Sequence, residues 1–408
     1  MSDDHDGFGG SASAGEGAAR ARAEQRPVWA WIDGAALRHN ARRAMALADG
    51  RQVIGVVKAD GYGHGAATVA KALLAEGVTR LAVVSIAEGA HLRREGVAAP
   101  ILLLGGIDDA AGAERAVKWG LSPVLQDERG FELARSYGRP DAPLAVEVEV
   151  DTGMSRMGVP VGDARGLLAR VAEASQLSLA GVFSHYARAD EADAKPSRVQ
   201  AEALAGVLAA AGAIGEGDGR APAVHLANSA GLLRLAELET GTIETTAVRP
   251  GLMLYGVSPF ADRSAEALDL EPAMTLAARV VAVRRVPAGT PVGYGGEWTA
   301  PRETTIATLP LGYADGVPRA VLGRGHVHLA GGDRPIVGRV SMDSTTVDVG
   351  DADVGVGDVA TLFGRTPEGT RVPVEAFASA AGTIGYEILT GVGGRVPRIV
   401  GSGPPPEA

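Results

Sequence analysis

A lysine closes an otherwise apolar run: Val53, Ile54, Val56 and Val57 lead to Lys58, and "ADGYGHG" follows at once. An amine at such a position can act as a base, or as a nucleophile toward a carbonyl, once its surroundings free it of a proton. Four later β-branched stretches also end in polar groups. Asp151 and Arg156 follow "AVEVEV", His185 follows "LAGVFS", Asn228 and Ser229 follow "AVHLA", and Arg249 and Gly251 follow "TTAV". Singly, each has a structural explanation. A lysine at a strand end snorkels, a histidine can be a satisfied core residue, and Asn228 or Ser229 can cap a helix. Their conjunction asks for more, because an amine, two arginines and the free N–H groups of a helix start together suit an anionic carbonyl compound.

The elements that would gather these groups repeat along the chain. Candidate strands lie near Val53–Lys58, Leu81–Ser85, Ile101–Leu104, Ser122–Leu125, Ala145–Val150, Leu179–Ser184, Ala223–Leu226 and Thr245–Arg249. Helical spacing lies between most of them, as in "AATVAKALLAEG", where Val69, Leu73 and Leu74 share one face. Eight strand and helix repeats over roughly 200 residues predict a closed (β/α)8 barrel, with an open doubly wound sheet as the alternative. In a barrel the C-terminal strand ends converge on one mouth, and phosphate is often held near strands seven and eight. A lysine there suits a Schiff base with a phosphorylated aldehyde, of which pyridoxal 5′-phosphate (PLP) is the common one.

Beyond about Pro272 the texture changes to alternating apolar and polar residues between Gly and Pro turns, as in "TTIATLPLGYADG" and "HVHLAGGDRPIVGRV". This predicts a second, mostly-β domain. "VWAWID", residues 28 to 33, alternates in the same way and is expected to pair with it. The layout is therefore a disordered tail over 1–26, an N-terminal strand within 27–36, a barrel over 37–270 and a β domain over 271–408.

Composition narrows the partners. A formal net charge of -10 over 408 residues disfavours nucleic acid and anionic membranes, both of which call for a concentrated basic face. The absence of cysteine excludes disulfides, thiolate metal sites and cysteine nucleophiles, and no metal centre is expected. No apolar run is long enough to span a bilayer, and the first 26 residues do not read as a secretory signal. A cytoplasmic protein acting on a small solute is expected.

Nine stretches carry a family resemblance: "VVKADGYGHG", "VDTGMSRMG", "SHYARAD", "HLANSAG", "VRPGLMLYG", "VGYGGEW", "LGYADG", "VGRVSMDS" and "TIGYEILTGVGGRVPR". In this order they resemble the successive motifs of the alanine racemases, PLP enzymes with a barrel followed by a β domain (fold type III). The resemblance implies that Lys58 carries PLP, that Tyr62, Asn228, Ser229, Gly251, Leu252 and Tyr386 hold the cofactor, most of them at its phosphate, and that His185 packs on its ring. Arg249 would face the pyridine nitrogen. An arginine cannot supply a proton there, so the ring would be a weaker electron sink. Arg156 would reach the cofactor's phenolic oxygen and the substrate carboxylate, and the Met342 N–H would meet that carboxylate. Lys58 and Tyr294, the latter from the partner of a homodimer, would be the two bases. Tyr313, Arg319, Asp190 and His225 would line a narrow entrance that favours a methyl side chain. The implied activity is the interconversion of L-alanine and D-alanine for peptidoglycan.

The chain departs from the pattern at Glu149, where many family members carry a carboxylated lysine whose carbamate orients the arginine matched by Arg156. Glu149 is expected to supply that negative charge permanently, or otherwise to be a polar barrel-core residue. Ser344 stands where glutamine is usual. A PLP decarboxylase of the related two-domain kind would place an acid at the pyridine nitrogen and draw on a cysteine, against Arg249 and the absence of cysteine here. A racemase of broader amino-acid or serine specificity is the alternative, and a non-enzymatic PLP-binding protein is a further one.

Overall fold

The computed structural model describes residues 26–211, 221–239, 241 and 243–405. The tail expected over 1–26 thus lies, except for Arg26, outside the described residues. The chain divides into two compact units, Leu37–Leu270 and the residues up to Ala36 together with Glu271–Ala408.

The Leu37–Leu270 unit is a parallel barrel of eight strands: Gln52–Val56, Arg80–Val83, Ile101–Leu103, Leu121–Leu125, Leu144–Asp151, Leu177–Phe183, Ala223–His225 and Ala247–Val248. Neighbours pair in sequence order, and the eighth returns to the first through Ala247↔Gln52 and Val248↔Val53. The seventh and eighth are joined by Thr246 N–H to Val224 O and Arg249 N–H to Ala227 O, both 2.8 Å, which completes the ring. The closed barrel expected from the sequence is therefore present. Helices cover the outer face, so both sides of each strand are buried, and this is why the strands read as unbroken apolar runs. Several helices start on a side-chain cap: Asp109 accepts the Gly112 N–H at 2.6 Å, Asp127 accepts that of Gly130 at 2.7 Å, and Ser85 forms a capping box with Glu88. In helix Ala66–Ala75, Val69 and Leu73 face inward, whereas Leu74 is only half-buried.

In the second unit, Val28–Asp33 is the strand next to one edge of the sheet. It pairs antiparallel with Met274–Arg279 and parallel with Arg398–Gly401, so two segments far apart in sequence lie side by side in one sheet. That sheet continues through Val359–Arg365, His326–Leu329, Gly332–Val337, Thr345–Gly350, Thr304–Leu309 and Ala282–Val286. Helices Val374–Ala381 and Gly385–Gly391 interrupt the β pattern near its end. The first buries Val374, Phe377 and Ala378, an i, i+3, i+4 spacing that is legible in "VEAFASAA". Asp315, fully buried, accepts a forked pair from Arg26 and also the Gly312 N–H at 2.9 Å, fixing the turn that carries Tyr313.

Trp31 crosses the Arg398–Gly401 strand closely enough that a Cβ on Gly401 would lie 2.1 Å from its ring. The ring is also held by Nε1–H to Gly403 O at 2.9 Å and cannot swing aside. Gly401→Ala is expected to lower the urea midpoint by an amount worth about 1–3 kcal/mol; an unshifted midpoint would show that the tryptophan repacks freely.

Candidate active site

The first barrel strand ends at Val56, two residues before Lys58, and the chain then enters a left-handed turn. Ala59, Asp60, Gly61 and Tyr62 have φ of 51°, 53°, 61° and 53°. Such a conformation costs about 1–2 kcal/mol at each of the three non-glycine residues, so something must hold it. Glu88 accepts the Ala59 N–H at 2.7 Å, the Asp60 carboxylate accepts the Ala66 N–H at 2.8 Å, and the Asp60 carbonyl accepts the Gly65 N–H at 2.9 Å. The turn sends Tyr62 inward, where it stacks on Tyr255 at 4.5 Å between ring centroids. Its hydroxyl occupies the space that a Cβ on Gly251 would fill, at 2.5 Å.

Lys58 is half-buried, and its pKa is lowered by burial and by the charge of Arg156, with Glu88 opposing. Arg156 sits in a loop tied down by Asp151, whose Oδ1 accepts the N–H groups of Gly153, Met154 and Ser155, each at 3.0 Å. Glu149 is buried and accepts Gln126 Nε2–H at 2.9 Å, and its charge favours the protonated Arg249. The direct partner found for Glu149 is thus Gln126, which also donates to Leu104 O at 3.0 Å.

Across the mouth, Asn228 caps the short helix Ser229–Leu233 through the Gly231 N–H at 3.0 Å. The Ser229 hydroxyl accepts the N–H groups of Gly251 and Met253 at 2.9 and 3.2 Å, which leaves its own O–H to give. Leu252 is buried between them. Arg249 is buried, donates to Ser184 O at 2.8 Å and to His185 Nδ1 at 3.2 Å, and lies 4.4 Å above the Phe183 ring. Burial brings its pKa down to about 10 while Glu149 and Glu147 oppose, so it stays charged at neutral pH. His185 is pushed down to about 3 by burial and then by Arg249, Arg156 and Lys58, and is neutral.

His225 requires a correction. It does not border an entrance: it is fully buried, with Nε2 3.0 Å from Glu147 Oε2 and its ring stacked on Phe183 at 4.8 Å. As the last residue of the seventh strand it points into the barrel, and a single sequence does not reveal which way an end residue points. Asp190 is exposed, on a loop clamped by Arg234 through Ala189 O at 3.0 Å and Ala192 O at 3.1 Å.

In the β-rich unit, Tyr313 and Met342 are neighbours. Tyr313 N–H meets Ser341 O at 3.0 Å and Ala314 N–H meets Met342 O at 3.1 Å, an approach open only to glycine at 312, where a Cβ would lie 2.1 Å from Ser341 O. Tyr313 also borders a cavity of about 430 Å³ with Pro318, Thr383 and Glu387. Tyr294, in a turn of three positive-φ glycines, is 72% exposed, and Arg319 and Tyr386 are also exposed. The Ser344 hydroxyl pairs with that of Ser341 at 2.7 Å.

Gln126, Glu147, Arg80 and Glu88 were not singled out from the sequence. Gln126 follows the fourth strand as Lys58 follows the first, and Glu147 is one of three acids in an otherwise apolar strand. Both signals were readable.

Residues 32–259 match the model of the alanine racemase N-terminal domain, and 273–400 that of the C-terminal domain. The chain belongs to the alanine racemase family. The alanine racemase of Desulforamulus reducens is 40% identical over 380 residues, which cover 92% of this chain and 99% of that one. Among solved structures, alanine racemase from E. faecalis superposes with a TM-score of 0.84 at 32% identity, covering 92% of this chain and 99% of that one. The enzyme from Bartonella henselae, solved with covalently bound pyridoxal phosphate, does so with a TM-score of 0.80 at 30% identity, covering 91% and 99%. The barrel and the β-rich unit are thus the family's own two domains.

His185 and His225, the latter lowered to about 4 mainly by burial, stay neutral in the folded protein at pH values where the unfolded chain takes up protons. Stability should fall as pH drops from near 6.5 toward 4. At pH 5.5 the loss relative to neutral pH is expected to be about 2–3 kcal/mol, read as a lower urea midpoint. Equal midpoints at the two pH values would contradict neutral, buried rings.

Proposed function

We propose that the protein is a PLP-dependent alanine racemase working through two bases, Lys58 and Tyr294 of the partner subunit. The observation that carries this reading is a half-buried amine of lowered pKa after the first barrel strand, on the barrel end that also carries the charged Arg249 and the Ser229 hydroxyl bonded to the Gly251 N–H. The residues fit PLP. The Ser229 O–H and the Tyr62 hydroxyl in the gap left by Gly251 suit its phosphate, with Asn228 and Leu252 shaping that wall, and the family resemblance assigns Tyr386 to the phosphate as well. The neutral His185 suits a ring face, and Arg249 suits the pyridine nitrogen. When bound, PLP links covalently to the amino acid and takes up electron density released at Cα.

The chain's own groups do the rest. Arg156 and the Met342 N–H hold the substrate carboxylate. Arg249 keeps its proton, so charge at Cα is spread less widely than an acid at that position would allow, and proton return to Cα is favoured. Lys58, whose surroundings disfavour a bound proton, removes the α-hydrogen of D-alanine, and Tyr294 of the partner subunit removes that of L-alanine from the other face. The 72% exposure of Tyr294 in a single chain supports a homodimer with shared sites. Asp190, Tyr313 and Arg319 narrow the entrance toward a methyl side chain. Glu149, held by Gln126, supplies a standing negative charge near the two arginines. We place the enzyme in the cytoplasm, where D-alanine would serve as a peptidoglycan precursor.

Lys58→Ala should abolish racemisation in both directions and the visible absorbance of lysine-bound PLP. Tyr294→Phe should keep that absorbance and lose about 10²–10⁴-fold in rate. Racemisation by Lys58→Ala at the unaltered rate would overturn the reading. Removing bicarbonate should leave turnover unchanged while Glu149→Gln lowers it; unchanged turnover in that variant would confine Glu149 to packing.

A further inference from the structure

A buried chain of side chains runs behind Arg249, from Arg80 through Glu147 and His225. All four are less than a tenth exposed, on four different barrel strands or their ends. A guanidinium only donates, so the contact of Arg249 Nη1 with His225 Nδ1 requires a lone pair on that nitrogen. The proton of the neutral ring must then sit on Nε2, where Glu147 Oε2 accepts it at 3.0 Å. The other carboxylate oxygen pairs with Arg80, which keeps Glu147 ionised and therefore an acceptor only. Burial alone would favour the protonated acid, but its charged neighbours hold its pKa at about 2. Space for the carboxylate comes from Gly181 on the next strand, where a Cβ would lie 2.7 Å from Glu147 Cδ. Phe183 stacks on His225 and lies beneath Arg249, which keeps ring and guanidinium in register.

We propose that Glu147 is a positioning residue for Arg249, acting through the tautomer of His225. This rests on the functional reading above, in which Arg249 faces the cofactor ring. Without an acceptor at 147, the Nε2–H would be buried and unpaired, and the ring would gain by moving its proton to Nδ1. An Nδ1–H would face the Arg249 N–H donor against donor and push the guanidinium off His225 and off Ser184 O. Glu147 and Arg80 thus aim an arginine that neither of them touches.

The test compares two double variants as full-chain holoenzymes. Arg80→Met/Glu147→Gln removes both charges but keeps a carbonyl acceptor; Arg80→Met/Glu147→Met removes the acceptor as well. Side-chain ¹⁵N shifts of histidine-labelled protein, with His225 assigned by difference from His225→Gln, report the tautomer without reference to activity. The unaltered protein and the Gln variant should show the proton on Nε2. The Met variant should show a tautomer mixture and a kcat about 5- to 100-fold below that of the Gln variant, the range expected for a buried donor left unpaired. Equal tautomers and equal kcat in the two variants would overturn the proposal. So would a proton on Nδ1 in the unaltered protein, a result that stands even if the Met variant does not fold. If the unaltered protein does not racemise alanine, the functional reading falls, and the nitrogen shifts alone decide the role of Glu147.

Discussion

Three basic side chains, Lys58, Arg156 and Arg249, follow C-terminal strand ends of the barrel, and the proposed chemistry asks opposite things of two of them. In that proposal the amine gives up a proton, whereas the Arg249 guanidinium keeps its own. Burial and the charge of Arg156 disfavour the proton on Lys58, while Glu149 and Glu147 sustain the charge of Arg249. Charge placement on the strands decides this division. The two glutamates lie on one strand, Leu144–Asp151, at alternate positions, so both face the interior, where their charges act on the arginine without touching it. The neutral His185 lies beside Arg249 without adding a further charge.

Backbone geometry serves the same division. The left-handed turn after Lys58 folds the chain back so that the amine and the Tyr62 hydroxyl, four residues apart, are available for the different roles proposed for them. Its strain is held by Glu88, which also accepts the Val84 and Ser85 N–H groups at 2.8 and 2.9 Å and so locks the first and second strand ends together. In the β-rich unit, Gly312 plays a comparable part by letting the Tyr313 turn pack directly on the Met342 backbone.

The barrel was legible because its strands are covered on both faces, which leaves apolar runs whose polar ends stand out. That rule located Lys58, Arg156, His185, Ser229 and Arg249 at once. It missed Glu147, which lies inside a strand and reaches the site only through His225, and His225, which the resemblance set at the entrance, is instead buried. The left-handed turn could not be read, since Ala59 and Tyr62 are not residues that favour positive φ and one of the hydrogen bonds that hold it, from the Ala59 N–H to Glu88, comes from a residue 29 positions away. In the second domain, alternation revealed strands, but the helix Val374–Ala381 was absorbed into the surrounding β pattern.

The central claim, that Lys58 and Tyr294 act together from different subunits, is tested most directly by mixing. Lys58→Ala and Tyr294→Phe proteins, each nearly inactive alone, would be dissociated together and reassociated. With shared sites, half of the resulting dimers are mixed and each mixed dimer holds one unaltered site, so activity should return to about a quarter of that of the unaltered protein. Activity that stays at the level of the separate variants, with mixed dimers demonstrably formed, would contradict the account.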